Sequence, residues 1–177
     1  MFRLSHAARE LFNPSVIGPK RSPPGPVVIW NLIRRCNLAC MHCYTNSFDK
    51  DFSGELSTQE VFTVMDDLKS FRVPVIILSG GEPLLRPDIF AIAERAKNMK
   101  FYVGLSTNGT YITQDKIDQI AALKLDYVGI SLDGVGETHD HFRRTPGAFA
   151  KALEGIRLCK SRGLKVGIRY CLTQENH

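Results

Sequence analysis

The chain has 177 residues, of which 44% are hydrophobic and 23% are charged, and its formal net charge is +5. This length suits one domain with a substantial core, and the composition is that of an ordinary soluble globular protein. No apolar run reaches the ~20 residues of a membrane-spanning helix, and the first residues lack the apolar core of a secretory signal. We therefore expect a cytoplasmic protein with no membrane partner.

Residues 1–26 are interpreted as a basic, proline-rich arm in front of the core. The first 35 residues hold six Lys or Arg and one Glu, so their charge excess equals that of the whole chain. A short helix is predicted over residues 2–12, and the prolines that follow favour an extended lead-in. No aromatic stripe or helix-turn-helix pattern accompanies the charge, which argues against nucleic acid. An anionic substrate or a partner protein is favoured, and a solvated tail is expected for residues 3–21.

Apolar runs predict five strands that alternate with helices. The strands are expected at residues 27–33, 73–78, 101–105, 127–130 and 164–172, the first of them fully buried. Helices are expected to begin at the capping box of Ser57 and Glu60, around Pro87, at Thr113 and after Pro146. Residues 135–146 are predicted as a loop. This alternation implies a parallel sheet with right-handed crossovers.

Either an open doubly wound sheet or a barrel satisfies this pattern. Small, polar or chemically special residues follow each of the first four strands, and barrels carry their sites at those strand ends. Five strands cannot close an eight-stranded barrel, and no helix follows the last one. We therefore expect a fragment of a longer protein, with an exposed sheet edge at residues 164–172.

Three cysteines, Cys36, Cys40 and Cys43, lie within eight residues at a C-x-x-x-C-x-x-C spacing. An odd total of five cysteines is a poor disulfide framework, whereas a metal or cluster site in a reducing compartment fits. A mononuclear zinc site needs a fourth ligand, and His42 adjoins Cys43 awkwardly for that purpose. A four-iron cluster held by three thiolates leaves one iron open to a ligand.

Other chemically active side chains are given structural roles. Cys159 and Cys171 lie in apolar patterns and are expected to be small buried hydrophobes. His6, His139 and His141 are expected on the surface or in loops.

The candidate ligand-binding residues follow the second, third and fourth strands. They are Gly80, Gly81, Glu82, Pro83, Ser106, Asn108, Ser131, Asp133 and Arg143. The glycines let backbone approach a ligand closely, and Glu82 is expected to accept from a ligand ammonium. The hydroxyl, amide and carboxylate groups suit a ribose and an amino acid, and either Arg143 or Arg144 suits a carboxylate. S-adenosylmethionine carries all of these groups.

These motifs, in this order, resemble the radical S-adenosylmethionine superfamily from about residue 27 to the end of the sequence. The resemblance implies a partial (β/α)6 barrel of TIM type, truncated here after its fifth strand. It implies a [4Fe-4S] cluster on Cys36, Cys40 and Cys43, whose open iron is chelated by S-adenosylmethionine. Reductive cleavage of that cofactor then yields a 5′-deoxyadenosyl radical that abstracts a substrate hydrogen. One departure is His42, where the family often has an aromatic residue.

Residues 2–6, 30–36 and 131–134 further resemble the haem d1 biosynthesis proteins of this superfamily, in the branch with a C-terminal SPASM-like region. That resemblance implies a sirohaem-derived anionic tetrapyrrole whose two propionates are replaced by oxo groups. It also implies an electron donor such as flavodoxin or ferredoxin. The SPASM-like region is absent, so residues 1–177 alone are not expected to be fully active. Two alternatives stay open: a SPASM-type peptide or protein maturase, and a non-catalytic zinc-binding module.

Overall fold

The computed structural model describes residues 25–176, and the predicted arm with its helix lies almost wholly outside them. Five parallel strands pair in the order in which they occur along the chain: β1 Val27–Asn31, β2 Val75–Ser79, β3 Tyr102–Thr107, β4 Tyr127–Ser131 and β5 Val166–Arg169. The helices are α1 Thr58–Ser70, α2 Ile89–Asn98, α3 Gln114–Ala122, α4 Glu137–Arg143 and α5 Ala148–Ser161, with a short 3-10 turn at Pro83–Leu85. The predicted α/β class and parallel strand order are confirmed.

One face of the sheet packs against the helices and forms the hydrophobic core. Its strand residues are almost fully buried: Ile76, Leu78, Val103, Leu105, Val128 and Ile130. We call the opposite side the inner face, and its members lie next to one another by register: Ile77, Gly104, Ser106, Gly129, Ser131, Gly167 and Arg169. Tyr102 and Tyr127 lie on this face at the amino-terminal ends of β3 and β4. Towards the carboxyl ends the face is small or polar, which leaves room for a ligand there.

Local sequence signals explain where the helices begin. The capping box is present, because Ser57 accepts from the Glu60 amide and the Glu60 side chain accepts from the Ser57 amide. Thr113 occupies the N-cap of α3 as predicted, without a side-chain bond. The prediction for Pro87 is wrong in detail, because α2 begins at Ile89 and leaves Pro87 outside the first turn.

The predicted loop over residues 135–146 is also wrong, because α4 occupies Glu137–Arg143. Its sequence is mostly polar, so no apolar periodicity marks it. The helix is held by tertiary contacts instead: it buries His139, Phe142 and Arg143.

β1 and β5 form the two edges of the sheet that residues 25–176 build, and β1 departs from prediction for that reason. β1 is not fully buried: Val27 and Ile29 are about half exposed, at 47% and 56%. β5 is shorter than predicted and leaves Ile168 exposed, as expected for an edge strand. In residues 25–176, no helix has both the length and the apolarity that a membrane span requires.

Candidate functional site

A cavity of about 240 Å³ lies at the carboxyl ends of the strands. Its lining includes ten of the twelve predicted site residues: Cys36, Cys40, Cys43, Gly80, Gly81, Ser106, Asn108, Ser131, Asp133 and Arg143. Glu82 and Pro83 are buried behind the lining rather than in it. Arg144 lies in a separate shallow depression beside Met41. The structure therefore gathers side chains from four strand ends into one place.

Hydrogen-bond donors lie beside the sulfur atoms of Cys36 and Cys40. Cys36 Sγ accepts from the Leu38 amide at 3.4 Å and from Asn108 Nδ2 at 3.7 Å. Arg143 Nη1 lies 3.4 Å from Cys40 Sγ. Burial raises the pKa of the Cys36 thiol to about 11, so a bound positive metal centre is needed to hold it as a thiolate.

Cys43 has a different environment. Burial opposes its ionisation, but hydrogen bonds from Thr45 and Ser47 outweigh that effect and lower the pKa of the thiol. The Ser47 amide donates to Cys43 Sγ at 3.3 Å, and the Thr45 hydroxyl lies at the same distance. Such contacts stabilise a thiolate and tune the potential of an iron–sulfur cluster.

The positions of the donor side chains bear on both candidate centres, a cluster and a single metal ion. In the part of the chain that the structure describes, no three His, Cys, Asp or Glu side chains converge on one ion position. A four-iron cluster needs no such convergence, because each thiolate binds a different iron. His42, the fourth ligand of the zinc alternative, instead places its Nε2 3.3 Å from Asp133 Oδ2. This contact involves one nitrogen of His42, and its Nδ1 has no hydrogen-bond partner among residues 25–176.

The glycine turn after β2 holds the cysteine loop in place. The Gly81 amide donates to the Ile33 carbonyl at 2.7 Å, and the Glu82 amide donates to the Arg35 carbonyl at 3.0 Å. A Cβ on Gly80 would lie 2.3 Å from the Ile33 oxygen, and one on Gly81 would lie 2.4 Å from the Arg35 oxygen. Only glycine allows the two backbones to approach this closely.

Glu82 occupies a structural position in this arrangement. Its carboxylate accepts from the Leu84 amide at 3.0 Å, the Thr107 hydroxyl at 2.8 Å and the Asn108 amide at 2.9 Å. Burial raises the pKa of Glu82 despite these bonds. The geometry differs from the expectation that Glu82 receives a ligand ammonium, because the carboxylate ties the β2 turn to the end of β3. Pro83 begins the 3-10 turn that follows.

Asp133 joins the cysteine loop to α4. Its Oδ2 lies 2.5 Å from Arg143 Nη2, and its Oδ1 accepts from the Cys171 amide at 3.1 Å. The Asp133 amide donates to His139 Nδ1 at 3.1 Å, and burial lowers the pKa of that imidazole. The prediction of a surface or loop position is therefore wrong for His139, which is buried within α4. Cys171 is exposed rather than buried and lines the cavity.

Cys159 lies in the core, whereas Arg169 lies at the cavity. Cys159 packs in the hydrophobic core, as predicted, and burial raises its pKa to about 11. Arg169 lines the cavity. The side that it faces could not be predicted, because it is the last residue of the edge strand β5 and no regular apolar alternation marks that strand.

Comparison with known proteins gives a consistent result. The sequence profile of the radical SAM superfamily matches residues 30–177. Pre-heme d1 synthase of Dinoroseobacter shibae is 52% identical over 99% of this chain and 44% of its own length. Fe-coproporphyrin III synthase of Methanosarcina barkeri is 46% identical over 85% of this chain and 38% of its own length. The chain thus spans less than half the length of these relatives.

A relative of lower identity and a solved structure also resemble the chain. Mycofactocin maturase MftC of Mycobacterium tuberculosis is 35% identical over 89% of this chain and 40% of its own length. The structure of Streptococcus suis SuiB bound to S-adenosylmethionine superposes with a TM-score of 0.69 at 18% identity. That match covers 97% of this chain and 38% of SuiB, and it shows a shared fold.

Proposed function

The chain belongs to the radical SAM superfamily, and we propose that it forms the core of an enzyme of haem d1 biosynthesis. Members of the superfamily are enzymes that use a [4Fe-4S] cluster and S-adenosylmethionine. The proposed substrate is a sirohaem-derived tetrapyrrole, and the proposed reaction replaces two of its propionate side chains by oxo groups.

The observation that carries this proposal is the 52% identity to pre-heme d1 synthase over 99% of the chain. The relative at 46% identity, Fe-coproporphyrin III synthase, also has a tetrapyrrole in its name. Because the chain spans 44% of the first relative, the activity of the whole protein is part of the proposal.

The cavity offers a role for each group of residues. Cys36, Cys40 and Cys43 would hold the cluster, which supplies the electron that cleaves the sulfonium C–S bond of the bound cofactor. Gly80 and Gly81 border the same cavity, where their backbone would contact the methionine part of the cofactor.

Polar side chains on the remaining strand ends would orient the cofactor. The hydroxyls of Ser106 and Ser131 lie on the inner face and suit a ribose. Asn108 is already oriented, because its Nδ2 donates to Asn37 Oδ1 at 3.0 Å and lies near Cys36. Asp133 fixes Arg143, which faces the cavity where Arg144 does not, so Arg143 is our candidate for the cofactor carboxylate.

The proposal extends to the electron source and the compartment. Reduction of the cluster requires a low-potential donor such as flavodoxin or ferredoxin. Free cysteines and an iron–sulfur cluster require a reducing compartment, so we include a cytoplasmic location.

A second candidate keeps the chemistry and changes the substrate. The 35% identity to mycofactocin maturase MftC supports a SPASM-type enzyme that modifies a peptide or protein. The lower identity places this alternative behind the first.

The test uses the anaerobically reconstituted protein that contains this chain, with S-adenosylmethionine and a chemical reductant. We expect didecarboxysirohaem to lose two propionates, read by mass spectrometry, with release of 5′-deoxyadenosine. Residues 1–177, which match 44% of the length of pre-heme d1 synthase, are assayed in parallel. A modified peptide and an unchanged tetrapyrrole would instead establish the maturase alternative.

The matched cysteine variants separate the cluster ligands from the core. Cys40→Ala is expected to lose the cluster and all cofactor cleavage, because one of its three thiolates is missing. Cys159→Ala should keep both, because Cys159 packs in the core. Iron and sulfide analysis checks the site directly: one zinc without sulfide would contradict the cluster.

A further inference from the structure

A ring of three hydrogen-bonded side chains lies beside Cys36, which is buried. Asn37 Nδ2 donates to the Thr110 hydroxyl at 2.9 Å, and that hydroxyl donates to Asn108 Oδ1 at 2.7 Å. Asn108 Nδ2 closes the ring by donating to Asn37 Oδ1 at 3.0 Å. Asn37 belongs to the cysteine loop, whereas Asn108 and Thr110 follow β3. The ring therefore joins the loop to the sheet.

The ring fixes which end of the Asn108 amide faces the cysteine. The Thr110 backbone amide can only donate, and it lies 2.9 Å from Asn108 Oδ1. The side-chain oxygen of Asn108 therefore points towards Thr110, and its NH2 group points away from it. One N–H of this group donates to Asn37. The second is left for Cys36 Sγ, which lies 3.7 Å from Asn108 Nδ2.

The other two members of the ring stand apart from the cavity. Among residues 25–176, the lining of the cavity includes Cys36 and Asn108 but neither Asn37 nor Thr110. These two instead border a separate depression beside Tyr111. The ring uses the side-chain oxygen and nitrogen of Asn37 and the hydroxyl of Thr110. Any influence of the pair on the cavity therefore passes through Asn108.

An N–H group directed at a cluster thiolate affects the two redox states unequally. The reduced cluster carries one more negative charge than the oxidised cluster, so the donor stabilises it more. Hydrogen bonds to the sulfur atoms are one of the factors that set the potential of an iron–sulfur cluster. Cys36 Sγ also accepts from the Leu38 amide at 3.4 Å, but a backbone donor is present whatever the side chain. Asn108 is the side-chain donor at this sulfur.

We propose that Asn37 and Thr110 are positioning residues for Asn108. By directing its N–H at Cys36 Sγ, they raise the reduction potential of the bound cluster. The inference rests on the cluster of the proposed function and is independent of the substrate. It gives a role to two polar residues that make no contact with the cavity.

The experiment measures the midpoint potential of the cluster in the whole reconstituted protein, by anaerobic redox titration followed by EPR. The signal of this cluster is the one that Cys40→Ala lacks. Asn108→Leu removes the donor and should make the equilibrium constant for reduction about tenfold smaller. For a one-electron couple this is a shift of about 59 mV to more negative potential.

Thr110→Val is the variant that preserves the fold most closely. It keeps the shape of the side chain and the backbone amide, and it breaks two bonds of the ring. We expect a shift in the same direction as in Asn108→Leu and of smaller size. Thr110→Ser retains the hydroxyl and should restore the wild-type potential. Thr113→Val makes the same change at the N-cap of α3, where the side chain forms no capping bond, and should leave the potential unchanged.

The direction of the shift and the iron content of each variant decide the outcome. A purely structural ring would lower the iron content of Thr110→Val without moving the potential of the clusters that remain, and the inference would then be wrong. A more positive potential in Asn108→Leu would also overturn it, because water would then replace the amide as a stronger donor.

The proposed function and this inference can fail separately. Wild-type turnover of the tetrapyrrole with the same potential in wild type, Asn108→Leu and Thr110→Val would reject this inference alone. A negative shift in both variants, in a protein that leaves the tetrapyrrole unchanged, would support the inference and reject the proposed substrate.

Discussion

At the scale of single residues, Glu82 shows how burial changes the role of a motif residue. Its type and its place after two glycines suggested a ligand contact. In the fold its carboxylate is fully buried and accepts from two backbone amides and one hydroxyl. The residue thereby sets the position of Asn108, which borders Cys36. Its influence on the cavity is indirect.

Glu82→Gln is expected to lower the free energy of unfolding by about 1–3 kcal/mol, because the amide nitrogen faces a backbone N–H that then loses its acceptor. Chemical denaturation measures the loss. Glu94→Gln, on the exposed face of α2, should change stability by less than about 0.5 kcal/mol. Equal stability of the two variants would show that the buried contacts of Glu82 are dispensable.

The same carboxylate predicts a pH dependence. Burial raises the folded-state pKa of Glu82 above its ordinary value of 4.5, so the native state holds the proton more tightly than the unfolded state. Its contribution to stability is present below pH 4.5 and is lost as the pH rises through the raised pKa. Glu82→Gln should lack this decline when unfolding is measured against pH.

At the scale of elements, α4 contacts the cysteine loop, and α5 packs against the loop that follows β3. The Met41 amide donates to the Phe142 carbonyl at 2.9 Å, so the end of α4 is fixed to the loop between two cysteines. Arg143 adds its contact with Cys40 from the same helix end. Helix α5 supports the other side, because Gly155 packs directly against the backbone of Gly109 after β3.

Gly155→Ala tests that helix contact. Alanine favours a helix by up to ~1 kcal/mol over glycine, yet its Cβ would lie 2.6 Å from the Gly109 carbonyl oxygen. That oxygen belongs to backbone and cannot rotate away, so we expect a net loss of about 1–2 kcal/mol in thermal or chemical unfolding. Lys151→Ala, at an exposed site of the same helix, is the control. A stabilised Gly155→Ala protein would show that helix propensity outweighs the contact.

At the scale of the whole molecule, the order of the strands determines how stability is distributed. The three central strands have a paired neighbour on both sides and bury their core-facing residues. Within residues 25–176, β1 and β5 each have one neighbour, and Ile168 of β5 is 62% exposed. The cavity therefore combines a rigid centre with an edge strand that carries Arg169.

Hydrogen exchange of residues 1–177 should reflect this distribution. Amides of β5 are expected to exchange about tenfold or more faster than those of β3, because an edge strand opens without disturbing the core. Exchange followed by mass spectrometry resolves the two strands. Equal protection of β3 and β5 would contradict the predicted gradient.

Much of the fold and the site could be predicted because their signals are local. The spacing of Cys36, Cys40 and Cys43 lies within eight residues, and the capping box lies within four. Apolar runs that alternate with helical segments predicted the five parallel strands. The polar residues that follow these runs predicted which side chains line the cavity. The cysteine spacing and the capping box depend on a few consecutive residues, whereas the parallel strand order follows from the general preference for right-handed crossovers.

Only the tertiary structure decided the contacts that depend on register and burial. It placed Arg143 rather than Arg144 in the cavity, buried Glu82, and formed α4 where no apolar period marks a helix. It also turned Arg169 across β4 towards Ser106. Each of these outcomes follows from which face of an element meets a distant neighbour, and that information resides in packing between segments far apart in the chain.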